Sequence, residues 1–104
     1  GVRKGNQDAL VYLNTAESLV GKRPDLIIER ARYSEATDDF AGARALYAQA
    51  LQRNSALGDA HLGLAKMAIR EGDTKVARDH LEKYLELEPQ GESRPWAEKK
   101  LASF

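Results

Sequence analysis

The sequence predicts an all-α protein built from stacked pairs of antiparallel helices, and two observations support this prediction. First, Ala9, Ala43 and Ala77 recur at intervals of 34 residues, and a fixed period of about 20–50 residues is typical of stacked repeats. Second, a large apolar side chain follows each alanine four residues later, at Leu13, Tyr47 and Leu81. Residues four apart lie on one face of an α-helix, so the repeated pattern indicates helices that pack.

Composition narrows the class of partner. Sixteen basic and 16 acidic residues give a formal net charge of zero over 104 residues, so the chain lacks the basic excess of nucleic-acid or membrane-surface proteins. No cysteine is present, and the longest apolar run, 9–13, is far shorter than the roughly 18 residues of a membrane span. We therefore expect a soluble chain with no nucleic-acid partner and no direct membrane insertion, in a compartment, cytoplasmic or periplasmic, that the composition leaves open.

The helix pair is clearest in residues 58–89, where we expect helices over 58–71 and 75–88. The stripe of the first helix has the spacing i, i+3, i+4, i+7: His61, Leu64, Ala65 and Ala68. Gly72 suits the left-handed residue after a helix, and Asp73 or Thr74 suits the next N-cap. The second stripe consists of Ala77, Leu81, Tyr84 and Leu85. Pro89 is expected to end the pair.

An earlier repeat over residues 24–55 has the same organisation, with helices expected over 24–37 and 41–54. Its apolar stripes contain Ile27, Ala31, Ala43, Leu46, Tyr47, Ala50 and Leu51. Asp38 and Asp39 lie at the expected turn, where we interpret them as helix caps rather than a catalytic acid–base pair. Before this repeat only a second helix, 7–20, remains. The array is therefore expected to begin with a half repeat, and a first residue of Gly1 leads us to expect a fragment of a longer protein.

The last helix, expected over 94–104, departs from the 34-residue period. Ser93 is a plausible N-cap, and Pro95 lies in the first turn, where proline is tolerated. The apolar residues of this segment are Trp96, Ala97, Leu101 and Phe104. We expect residues 93–104 to form a capping helix in which Trp96 and Phe104 seal the apolar end of the array. An exposed hot spot for a partner is the alternative interpretation.

The unit 58–89 resembles a tetratricopeptide repeat (TPR). The positions of the family pattern are occupied by His61, Leu64, Ala65, Ala68, Gly72, Ala77, Leu81, Tyr84 and Pro89. The pattern usually has Trp where this chain has His61. The earlier unit departs at Arg30, Asp38 and Ser55, where Leu, Gly and Pro are usual, and the half repeat departs at Glu17. The resemblance implies a right-handed solenoid in one domain over 1–104, with two full repeats, an N-terminal half repeat and a C-terminal capping helix.

The resemblance also implies a non-catalytic scaffold whose first helices line a concave groove for a peptide or partner segment. The residues expected to contact the partner are Ile28, Arg32, Glu35, Leu62, Lys66, Ile69 and Arg70. The three cations among them suit carboxylates. The alternative is a mixed, solvated helix face together with a space that the last helix fills. Some TPR domains hold a terminal carboxylate through a Lys and an Asn, but the Asn is missing here, so that function is not expected.

Other classes of function are weaker interpretations. The runner-up is self-association into a homo-oligomer through the half repeat at 8–20, within a larger bacterial assembly or envelope-biogenesis protein. TPR proteins of bacterial envelope assembly are similar to this sequence, and so are many cytoplasmic ones. His61 and His80, with Asp79 or Glu82, are poor metal-ligand candidates because no clear third ligand accompanies them. Gly58 and Gly63 are not followed by the Lys and Ser/Thr of a phosphate loop. We therefore expect no catalytic, cofactor or metal site.

Overall fold

The computed structural model describes residues 4–104, with side chains from Asp8 onward, and this part of the chain contains six α-helices and no β-strand. The helices are α1 Lys4–Val20, α2 Pro24–Ala36, α3 Phe40–Arg53, α4 Gly58–Glu71, α5 Thr74–Leu87 and α6 Arg94–Ala102. The predicted all-α class is confirmed, and each predicted helix is present. Within the described range, no helix combines the length and apolar character needed to cross a membrane.

The helices form two compact units, and each is described by itself. The first unit ends at Asn54 and contains α1–α3, and the second runs Ser55–Phe104 and contains α4–α6. In the first unit α2 packs against both α1 and α3, and in the second α5 packs against both α4 and α6. The arrangement of all repeats in one right-handed solenoid domain stays a prediction from the sequence.

Alanine residues allow the two helices of each pair to approach closely. Ala31 on α2 and Ala43 on α3 are fully buried, and so are Ala65 on α4 and Ala77 on α5. Paired helices lie about 8–10 Å apart, and the separation depends on the side chains at the contact. The alanines predicted at these positions of the two full repeats are therefore confirmed as buried. Ala9, the equivalent residue of α1, is exposed.

The turn between α4 and α5 has the geometry expected from the sequence. Gly72 has a φ of 78°, in the left-handed region, and the Asp73 N–H donates a 2.9 Å hydrogen bond to the Ala68 carbonyl. This pattern closes a helix C-terminus and satisfies carbonyls that the helix leaves free. The Asp73 carboxylate then accepts a hydrogen bond from the Val76 N–H at 3.2 Å. Asp73, rather than Thr74, is the N-cap of α5.

The turn between α2 and α3 repeats this geometry 34 residues earlier, with an aspartate in place of the glycine. The Asp39 N–H donates to the Ser34 carbonyl at 2.8 Å, and the Asp39 carboxylate caps α3 by accepting from the Gly42 N–H at 3.0 Å. Asp38 has a φ of 63°, and it is the one non-glycine residue with a positive φ among the described residues. Left-handed backbone costs a residue with a Cβ about 1 kcal/mol relative to glycine.

Replacing Asp38 with glycine is therefore expected to stabilise the protein. The Asp38→Gly variant relieves the left-handed strain and should raise the unfolding free energy by about 0.5–1 kcal/mol, which is a few degrees in Tm. Thermal unfolding followed by circular dichroism measures this. Asp39→Gly is the matched control. Asp39 has a φ of −89°, so glycine relieves no strain there, and the substitution removes the carboxylate that caps α3. A Tm that falls in Asp38→Gly, or rises equally in both variants, would contradict the strain at Asp38.

Candidate functional site

The first helices α2 and α4 carry the residues predicted to contact a partner, and their exposure is uneven. Arg32, Lys66 and Arg70 are exposed, while Glu35 and Ile69 are half-buried. Ile28 and Leu62 are only 5% and 9% exposed. The expectation that these two apolar residues lie open to a partner is wrong. Whether the remaining residues bind a partner stays a prediction.

Packing on more than one side explains the burial of Ile28 and Leu62. Helix α2 contacts both α1 and α3, so an apolar residue outside its predicted stripe is still covered. Leu62 belongs to the buried cluster that includes Leu81, Tyr84 and Ala97. Because Ala97 lies on α6, the last helix contributes to the cluster that buries this position of α4. Truncating Leu62 would lower stability rather than remove a partner contact.

The charged residues of α2 already have partners within the first unit. Arg32 Nη1 lies 2.5 Å from Glu29 Oε1 in an exposed pair. Glu35 Oε1 accepts a 2.7 Å hydrogen bond from the hydroxyl of the buried Tyr47 on α3. Glu35 therefore satisfies a buried polar group, which is costly to leave unpaired. Arg32 has the more accessible charge.

A hollow beside Arg32 gives the first unit a candidate binding surface. Its volume is about 230 Å³, and α1 and α2 supply its walls. The lining residues are Ala9, Tyr12, Leu13, Glu29, Arg32, Tyr33 and Ala36. Two tyrosines beside a cation suit a segment that presents both an apolar side chain and a carboxylate. Tyr12 and Tyr33 were not predicted to contact a partner, because the half repeat was expected to take part only in self-association.

The last helix does not seal the second unit in the predicted way. Trp96 and Phe104 are 40% and 38% exposed, so the prediction that they close the core is wrong. Ala97 is fully buried, and the half-buried Leu101, four residues later, packs against the same cluster. Ser93 precedes the helix, but its side chain makes no cap bond. Its backbone N–H instead donates to the Tyr84 hydroxyl at 3.2 Å.

His61 and His80 contact each other across α4 and α5, which sequence reasoning did not predict. Their Nδ1 atoms are 3.0 Å apart, and His61 Nε2 lies 3.1 Å from the Ser55 carbonyl oxygen. A carbonyl only accepts, so His61 Nε2 carries a proton. In the neutral ring His61 Nδ1 then accepts, and His80 Nδ1–H donates to it. Residues 8–104 contain no group of three or more histidine, aspartate or glutamate side chains that could hold a metal ion.

The geometry of this histidine pair disfavours a second proton. Burial and the neighbouring His61 lower the pKa of His80, and the nearby Asp79 carboxylate opposes this by raising it. If both rings were protonated, two N–H donors would face each other at 3.0 Å. The pair therefore stabilises the second unit only while at least one ring is neutral.

Two alanine-packed helix pairs, with turns of the same geometry 34 residues apart, define an α-helical repeat protein. A tetratricopeptide repeat family model matches residues 35–99, more than half of the chain, and the chain belongs to this family. The family predicted from the sequence is thus confirmed. No curated protein matches the chain. Tetratricopeptide repeat domains generally mediate protein–protein interaction and are typically non-catalytic scaffolds.

The lowered pKa of His80 predicts acid destabilisation. Its folded pKa lies below the ordinary value of 6.5, so the unfolded state binds more protons as the pH falls through that value. The unfolding free energy should therefore decrease from about pH 7 downward, before most carboxylates titrate. Urea unfolding between about pH 7.5 and 5.5 measures this slope.

Two glutamine variants separate the contributions to this slope. His80→Gln retains a donor to His61 but has no titrating ring, so its slope should be the smallest. His61→Gln leaves His80 buried but removes the neighbouring imidazole that lowers the His80 pKa, and its slope should be intermediate. A slope in His80→Gln equal to that of the parent protein would show that other groups cause the acid sensitivity.

Proposed function

We propose that this protein is a non-catalytic interaction module that binds acidic segments of a partner protein through exposed cations on its first helices. The observation that supports this most is the equivalence of Arg32 and Lys66. They lie 34 residues apart, at the same position of the two repeats, and both are exposed. The two first helices thus present the same chemistry, although their sequences otherwise differ.

The surroundings of the two cations fit a peptide ligand. On α4, Lys66 and Arg70 are four residues apart and both exposed, so they project from one helix face. On α2, Arg32 lines the hollow that also contains Tyr12 and Tyr33. Its ion pair with Glu29 is about half exposed. Such exposed pairs contribute only about 0–1 kcal/mol, so the pair with Glu29 costs little to break.

Charge reversal on α4 tests this function. Lys66→Glu and Arg70→Glu should each weaken binding about tenfold while leaving the circular dichroism spectrum and Tm unchanged, because both residues are exposed. The assay uses a partner captured from an extract of the source cells and then purified. The dissociation constant of the complex between this partner and each variant is measured by calorimetry at low and high salt. The difference between variant and parent should shrink as salt rises, because exposed charges are screened over about 10 Å at 0.1 M.

Arg44→Glu and Arg78→Glu are matched controls for this test, since they reverse exposed charges on the second helices α3 and α5. They should bind as the parent protein does. Weakening confined to the two controls would end the proposal for the first-helix surface. Unchanged binding in all four variants would end the role of charge.

Self-association is the second candidate function, and the exposed apolar surface of α1 favours it. The exposed apolar residues of this helix are Val11, Tyr12, Leu19 and Val20. Ala9 is exposed, whereas the equivalent Ala43 and Ala77 are fully buried. A second copy of the chain, in a larger assembly, is the occupant we propose. Contiguous exposed apolar patches commonly mark such interfaces.

Light scattering over a concentration series tests the homo-oligomer. The apparent mass should rise with concentration, and Leu19→Glu should return the protein to monomer because Leu19 is 79% exposed. Val76→Glu, at a less exposed position of α5, is the control and should associate as the parent does. A constant monomer mass up to millimolar concentration would exclude self-association of this chain.

A further inference from the structure

The surface of α6 contains a second hollow, whose lining residues the first-helix proposal does not use. Its volume is about 320 Å³, and it is lined by Trp96, Lys99, Lys100 and Ser103. This is the lower end of the range of about 300–1,000 Å³ found for ligand pockets. The hollow therefore suits one or two side chains of a peptide rather than a large ligand.

Three lysines surround the exposed indole of this hollow. Besides Lys99 and Lys100, Lys66 of α4 places its Nζ 5.7 Å from the centroid of the Trp96 ring, within reach of a cation–π interaction. None of these lysines forms an ion pair with any described carboxylate. The nearby Glu98 pairs with Arg94 instead. The hollow thus combines an aromatic face with positive charge that is not neutralised.

Helix stabilisation alone does not account for this arrangement. Lys99 and Lys100 lie in the last turn of α6, where cations interact favourably with the helix dipole. That effect requires neither an exposed tryptophan nor a third cation from another helix. Trp96 is 40% exposed, although tryptophan has more apolar surface to bury than most residues. A bound side chain would cover that surface.

We propose that this hollow binds an acidic peptide segment, with a large apolar side chain on the Trp96 ring and its flanking carboxylates on Lys66, Lys99 and Lys100. The proposal rests on the proposed interaction function and adds α6 to the binding surface. A peptide fits better than a nucleic acid for two reasons. The chain has no net charge, and its single tryptophan could stack on only one base. Nucleic-acid binding normally requires a broader basic surface.

The fluorescence of Trp96 reports directly on this hollow, since the chain has a single tryptophan. The probe is an end-blocked peptide of eight alternating glutamate and leucine residues, and the matched control peptide has glutamine for each glutamate. We expect a saturable change in emission with the acidic peptide and little change with the control. Binding should weaken as salt rises, because the charged part is screened. No saturable change with the acidic peptide would overturn the proposal.

Variants measured by calorimetry locate the binding. The double variant Lys99→Gln with Lys100→Gln should weaken binding of the acidic peptide about fivefold, because it removes two charge contacts that solvent partly screens. Trp96→Ala should weaken it about tenfold, which is typical of a tryptophan anchor. Lys75→Gln, at an exposed position of α5, should bind as the parent protein does. Equal binding by parent and double variant would overturn the proposal. Tighter binding of an eight-nucleotide oligothymidylate would assign the hollow to nucleic acid instead.

The partner used to test the first-helix surface distinguishes failure of this proposal from failure of the proposed function. If Arg70→Glu weakens that partner and the Lys99, Lys100 double variant does not, the α6 site is wrong while the interaction function stands. If only the double variant weakens it, the α6 site is supported and the first-helix surface is wrong. Weakening by both variants supports a surface that includes both.

Discussion

The close approach of paired helices at alanine is the constraint on which the rest of this structure depends. Ala43 and Ala77 are fully buried at equivalent positions of α3 and α5, and a larger side chain at a fully buried position would overpack the helix pair. Each pair must then be joined by a short turn, and the turns after α2 and α4 have the same backbone hydrogen bonds. With one face of each first helix held in this way, Arg32 and Lys66 occupy equivalent exposed positions.

Features set by local rules were predicted well from the sequence. The cap at Asp39 and the left-handed Gly72 follow from what a helix end requires of its own residues. Leu62 and Ile28 were misplaced for a different reason. Hydrophobic periodicity shows which face of a helix is apolar, but it does not show how many other helices pack against that helix. The burial of Leu62 depends on α6, whose sequence does not follow the 34-residue period.

The same constraint of close packing explains why Trp96 was misjudged. Apolar residues on a terminal helix were expected to close the core of the array. At a tight contact between helices, however, a small residue allows nearer approach, and Ala97 occupies the buried position. Trp96, the preceding residue, is left partly exposed, and Lys66 Nζ lies 5.7 Å from the centroid of its ring. Neither the tyrosine hollow of the first unit nor the histidine contact has a sequence signal, because each joins residues from different helices.

The histidine contact also affects how the second unit opens. Helix α4 begins without a side-chain cap, since Leu57 at its N-cap offers no acceptor. His61 in its first turn binds the Ser55 carbonyl on one side and His80 of α5 on the other. Fraying of the start of α4 must therefore break a bond to the middle of α5. Segments coupled in this way open together, so amide hydrogens in both should exchange with solvent as one cooperative unit.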